Sequence, residues 1–190
     1  MALILGLDIA TTTGFAWYDT DACLSAVRLG SFKIDGECYE ARAGEMGQRI
    51  IKMVKQTRPD FVVIERPARN VMQHRKKTTD FAGEHEEMTI NAGTALLLNQ
   101  LTGAASAIVR AYQIPFEIVA PETWRKQFLG FGRRPGWSRK DWKKAARVRC
   151  RQLRITVTND DQADAVGLAF AGPSCQTFKI VQARRTGAAA

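Results

Sequence analysis

The sequence predicts an α/β chain: a mixed five-stranded sheet, three antiparallel strands followed by parallel crossovers, with helices on both faces. Three observations carry this reading. The first 34 residues run strand, turn, strand, strand; Phe61-Val-Val-Ile64 is a wholly apolar run suited to a central strand covered on both sides; and the later strands are separated by segments of helical periodicity. With 190 residues, 45% apolar and 25% charged, the chain suits one well-buried core, which excludes disorder, collagen and coiled coil.

Taken in order, Ala2 to Asp8 reads as a buried strand, Ala10 to Gly14 as a turn, and Phe15 to Tyr18 as the start of the return strand. Arg28 to Ile34 is the third strand. A helix from about Tyr39 to Thr57 places Met46, Ile50, Met53 and Val54 on one face and ends before Arg58-Pro59-Asp60. After Phe61 to Ile64 comes a polar, basic segment from Ala68 to Asp80, too long for a tight connection and read as a functional loop, then a helical region from about Glu84 to Tyr112. Phe116 to Val119 is a further strand, and Pro121 opens a brief helix ending near Gly130. Ser138-Arg-Lys-Asp141 fits a capping box ahead of a helix to about Leu153, and Asp161 to Ala171 is a compact helix. One domain is expected over 1–172, with 173–190 as a C-terminal tail.

No apolar stretch approaches the ~20 residues a membrane span needs, and Ala2 to Leu7 has no basic segment before it, so the chain is read as soluble and cytoplasmic. Four scattered cysteines and two histidines offer no zinc spacing and are read as reduced thiols and ordinary side chains.

The charge is one-sided. Of a net +9, the excess lies in the last 70 residues, where fifteen Lys or Arg face five acids. Lys140, Lys144, Arg147, Arg151 and Arg154 recur at intervals of four, three, four and three, which makes one helical face entirely cationic. Solvated helix faces usually mix signs, so this face points to a polyanion, nucleic acid foremost, bound through its phosphates. Arg133 and Arg134 in the preceding glycine-rich loop extend it, and Trp137 beside them is either a stacking residue or a structural aromatic.

Four acids stand out. Asp8 and Glu65 end the first strand and the central apolar strand, and the carboxyl ends of strands in an open α/β sheet form the ligand crevice. Either alone also reads as a solvated loop residue. Asp161 and Asp164, three apart on a helix, share a face; Asp161 alone reads equally as a helix-start residue capped by Asp160, whereas the apolar neighbours of Asp164 make its charge costly without a cation. Converging carboxylates without histidine or cysteine suit Mg²⁺ or Mn²⁺, and two such ions support in-line phosphodiester hydrolysis.

These pieces, in this order, resemble the RuvC-like Holliday junction resolvases of the ribonuclease H-like superfamily, in their bacterial or phage-borne versions. The matching segments are Ile4-Leu-Gly-Leu-Asp8 with Thr13-Gly14-Phe15, Pro59 to Glu65, Asn99-Gln-Leu-Thr-Gly103, Phe128-Leu-Gly-Phe-Gly132, and Asp161-Gln-Ala-Asp164-Ala165 with Leu168-Ala169. The resemblance implies a ribonuclease H-like fold and a two-metal site held by Asp8, Glu65, Asp161 and Asp164. It implies a lysine near the scissile phosphate, matched by Lys140, and a homodimer joined around Gln100 to Ala107. The implied activity is paired, symmetric nicking of four-way DNA junctions, with Arg133, Arg134, Lys140, Lys144, Arg147 and Arg151 on the DNA and 5′-phosphate and 3′-hydroxyl ends as products. Asp8-Ile-Ala-Thr stands where bacterial members have Asp-Pro-Gly-Ser, and the segment after Glu65 is longer and more basic than theirs.

Three other readings use the same residues. A broader branched-DNA, flap or RNA-processing nuclease needs the same acids. A non-catalytic DNA-binding protein would leave them structural. An actin or sugar-kinase type ATPase would use Asp8 and Thr11-Thr-Thr-Gly14 as a phosphate loop, but no second loop of that kind is present.

Overall fold

The computed structural model describes residues 1–67, 73–80, 83–90 and 92–187. Its five-stranded sheet contains β1 (Leu3–Asp8), β2 (Thr12–Asp19), β3 (Arg28–Lys33), β4 (Phe61–Glu65) and, after the hairpin described below, β7 (Phe116–Val119), in the order β3-β2-β1-β4-β7. β2 pairs antiparallel with β1 and β3; β4 runs parallel to β1 and to β7. The expected mixed sheet of three antiparallel strands and two parallel crossovers is therefore present.

Alternation along the strands separates two cores. Leu5, Leu7, Val62 and Ile64 face α1 (Tyr39–Gln56) and α2 (Ala92–Ala111), meeting Met46, Ile50, Leu97 and Leu101. Ile4, Phe61 and Val63 face the other side, with Ala165, Val166, Leu168 and Ala169 of α5 (Asp160–Ala171) and with Trp124 and Phe128 of α3 (Pro121–Leu129). By the same alternation Asp8 and Glu65, in step with Ile4 and Phe61, belong to the α5 face.

Two expectations for the middle of the chain are corrected. The helix expected from Glu84 begins at Ala92; before it, β5 (Gln73–Asp80) and β6 (Gly83–Ile90) form a separate antiparallel hairpin where a loop and a helix were expected. The register sets Lys76 opposite Glu87 and Lys77 opposite Glu86, opposite charges at paired positions, which favours strand pairing. Residues 68–72 of the polar segment lie outside the described residues. The sequence suggests no apolar stretch near membrane length, yet α2 has 20 residues and an 18-residue window of mean hydropathy 1.3, enough by length and composition. Its Leu97, Leu101, Ala105 and Val109 are buried in the core.

In the C-terminal part, α4 (Arg139–Gln152) starts with the expected capping box, in which Ser138 Oγ accepts from the Asp141 amide and the Asp141 carboxylate accepts from the Ser138 amide at 2.8 Å. The cap of α5 is Asn159 rather than Asp160: its side chain accepts from the Gln162 amide at 2.9 Å, leaving both aspartates inside the first turn. The segment read as a weak tail carries α6 (Gln176–Gly187). Phe178 packs edge-on against Phe61 at 5.3 Å, and Arg185 pairs with Asp60 at 2.9 Å.

Candidate active site

Three elements bring the four acids together. Parallel pairing of β1 and β4, with Leu7 opposite Ile64, ends both strands at the same level and places Asp8 beside Glu65. α5 crosses this edge at unusually close range because β1 and β2 present glycine to it. A Cβ on Gly6 would collide with the Ala165 carbonyl and the Ala169 amide, and one on Gly14, the residue opposite Asp8, with the Asp161 carbonyl. Close backbone approach is what glycine permits here. It carries Asp161 and Asp164 to the strand ends.

The electrostatics show how crowded the charges are. Burial, followed by the charges of Glu65, Asp164 and Asp161, pushes the Asp8 carboxyl well above the usual carboxylate range. Burial raises Glu65 too, against the lowering effects of the Arg125 charge and of a hydrogen bond donated by Trp124 Nε1 at 3.2 Å. Asp164 is lifted to about 7, by burial first and Glu65 second, while Lys143 and Arg125 pull it down. The cations at hand therefore leave the acids under-compensated.

Lys143 and Arg125 are the cations at the acids that the sequence alone does not single out. Lys143 Nζ lies 3.4 Å from Asp161 Oδ1 and 3.7 Å from Asp160 Oδ2, and its charge acts on Asp8, Glu65 and Asp164. The signal was its place three and seven residues before the buried Ala146 and Cys150, on the inward stripe of α4. Lys140, the residue implied by the resemblance, lines the adjoining cleft together with Lys143. Arg125 had no signal of its own; it is held between the rings of Trp124 at 5.3 Å and Trp142 at 4.8 Å.

That cleft gathers much of the predicted cationic face: Lys140, Lys144, Arg147 and Arg151 line a groove of about 410 Å³ together with Lys143 and Asp160. Arg147 reaches Asp160 at 3.5 Å. Arg133 and Arg134 stand apart from it, around a second hollow with Arg125 and Trp142.

The donor set suits a hard divalent ion: oxygen ligands only, partly buried, mutually repelling. Among the described residues no three His, Cys, Asp or Glu side chains are already closed into a cage, and the ammonium of Lys143 sits on Asp161. The residues fit such an ion by charge and chemistry rather than as a finished coordination shell.

No family model and no curated protein matches this sequence. Among solved structures the chain is similar to Thermus thermophilus RuvC in complex with a Holliday junction substrate, with a TM-score of 0.63 and 16% identity over 90% of this chain and 93% of that one. A second Thermus thermophilus RuvC structure gives 0.59 and 15% over 95% and 96%. The yeast mitochondrial Holliday junction resolvase gives 0.56 and 12% over 88% and 77%. At these identities the likeness shows the fold, which is that of RuvC and the ribonuclease H-like resolvases.

Proposed function

We propose that this chain is a divalent-metal-dependent DNA endonuclease that resolves four-way junctions by paired, symmetric nicks. The observation that carries the reading is the convergence of four acids from β1, β4 and α5 beside a helix whose exposed face is cationic. Two of the solved structures that share the fold are a RuvC in complex with a Holliday junction and a mitochondrial junction resolvase, which supports junction DNA as substrate.

In this reading Asp8, Glu65, Asp161 and Asp164 hold Mg²⁺, with Mn²⁺ as a substitute and two ions per site. When bound, the metal supplies Lewis acidity and an activated water for hydrolysis that leaves 5′-phosphate and 3′-hydroxyl ends. The chain's own groups do the rest. Lys143, whose ammonium lies 3.4 Å from Asp161 Oδ1, would offer its charge to the negative charge that grows on the scissile phosphate. Lys140, Lys144, Arg147 and Arg151 hold the adjoining backbone, and Trp124 fixes Glu65 through its indole N–H.

Two nicks require two sites, and a homodimer with a two-fold axis presents them to symmetric strands. The surface proposed for it is α2 around Gln100 to Ala107. One turn before this segment Leu96 is 53% exposed, and Gln100 Oε1 is buried with no hydrogen-bond donor among the described residues.

The test is end-labelled cleavage of a synthetic four-way junction, a flap and a linear duplex with Mg²⁺ and with EDTA. Symmetric, metal-dependent nicks in the junction alone are expected. Cutting of the flap or the duplex at a comparable rate would replace the resolvase with a broader nuclease, and DNA binding without cutting would make the acids structural.

A further inference from the structure

Between α3 and α4 the chain builds an aromatic cluster that neither core uses. Phe131, Trp137 and Trp142 pack with ring centroids 5.4, 4.9 and 5.8 Å apart, and all three keep part of their surface in solvent. None of them belongs to the two hydrophobic cores. Two guanidinium groups lie on their faces: Arg134 stands 4.7 Å from Phe131 and 5.0 Å from Trp137, and Arg125 stands 4.8 Å from Trp142. The Nε of Arg125 is buried and has no acceptor among the described residues.

The arrangement is pinned in place. Gly130 and Gly136 take the left-handed conformation at φ 89° and 79°, and Gly132 lies so close to the Glu122 carbonyl that a Cβ there would collide with it. The capping box of Ser138 and Asp141 then fixes the turn that carries Trp142. The hollow beside these rings, lined by Arg125, Arg134 and Trp142 among others, measures about 350 Å³, within the range of small-ligand sites. Arg125 links this hollow to the acidic site: it lies against both Trp142 and Trp124, Trp124 donates to Glu65, and the Arg125 charge acts on Glu65 and Asp164.

Partly exposed rings interleaved with arginines are the chemistry of single-stranded nucleic acid, since a base offers its π-face only when unpaired, whereas duplex backbone needs charge alone. We propose that this loop is a stacking site for one unpaired DNA base next to the strand bound at the acids. It would add a preference for branch points, where pairing is interrupted, to the general phosphate affinity of α4. This rests on the reading above that the partner is branched DNA.

The test is equilibrium binding in EDTA, by fluorescence anisotropy with the full chain, of two branched DNA probes. They are identical except that one carries an unpaired base at the branch and the other an abasic residue there. Wild type is expected to prefer the base-bearing probe roughly tenfold, and that probe alone should quench tryptophan fluorescence. Trp137→Ala should reduce the preference to within about twofold without changing the salt dependence, and Trp137→Phe should keep most of it. Equal binding of both probes by wild type, or an undiminished preference in Trp137→Ala, overturns the proposal. Should Trp137→Ala fail to fold, the wild-type ratio and the quenching still decide. If the junction is nicked with Mg²⁺ but the ratio is one, the stacking site falls and the nuclease reading stands; a tenfold ratio without nicking does the reverse.

Discussion

Asp164 shows most plainly why the acidic site calls for a cation. Burial and Glu65 hold its carboxyl near 7, whereas in the unfolded chain it ionises near 4. Between those values the native metal-free protein binds more protons than the unfolded chain, so this group makes stability fall as pH rises from about 4 to about 7 and leaves it flat above. Asp8 and Glu65, raised in the same direction, steepen the fall. Asp164→Asn removes its share. Its melting temperature in EDTA should gain on that of wild type as pH increases through this window, and Mg²⁺ should stabilise wild type more at pH 8 than at pH 5. A difference between the two proteins that does not vary with pH would contradict the burial of this charge. Asp8 and Glu65 stood out in the sequence because they end strands where an open α/β sheet forms its crevice, and Asp164 because its apolar helix neighbours make a charge costly. Lys143 was hidden because twelve basic residues crowd the same stretch, from Arg125 to Arg154, and only its inward position in α4 sets it apart.

Among the elements, α5 carries the greatest structural demand. It delivers two acids and six buried residues of one core, and it does so by lying against Gly6 and Gly14. Gly6→Ala inserts a methyl group where backbone atoms stand, and neither strand nor helix can yield locally. The variant should lose at least about 2 kcal/mol, which for a chain of this size lowers the melting temperature by roughly 4–8 °C, and cleavage should fall with it because α5 is displaced. An unchanged melting temperature would show that the strand and helix separate freely. On α4, Lys144→Ala with Arg147→Ala should weaken junction binding and reduce the slope of log affinity against log salt by about two; an unchanged slope would put the phosphates elsewhere. The expected helix over Glu84 to Ile90 failed for a physical reason: its strand is set by pairing with Gln73–Asp80, lysines opposite glutamates in register, and a single strand's own propensity does not disclose its partner. The capping box, a local signal closed within four residues, was read correctly.

For the whole molecule, the order of strands and crossovers was visible because the first three strands follow one another through short connections and helical segments separate β3 from β4 and precede and follow β7. α6 was not, since its hold on the sheet comes through Phe178 and Arg185, whose partners Phe61 and Asp60 lie more than a hundred residues away. Paired nicking makes an assembly prediction: light scattering at micromolar concentration should return twice the 21.1 kDa of one chain, and a monomer there would remove the dimer from the account. The central claim, that four converging acids hold a metal that cuts DNA, meets its most direct test in one comparison. Wild type and Asp8→Asn are given the same labelled four-way junction, with Mg²⁺ and with EDTA, and cleavage and binding are measured together. The account predicts nicking by wild type in Mg²⁺ only, loss of nicking in Asp8→Asn, and junction binding by the variant that is equal or tighter because less negative charge faces the phosphate. Full cleavage by Asp8→Asn, or by wild type in EDTA, would contradict it.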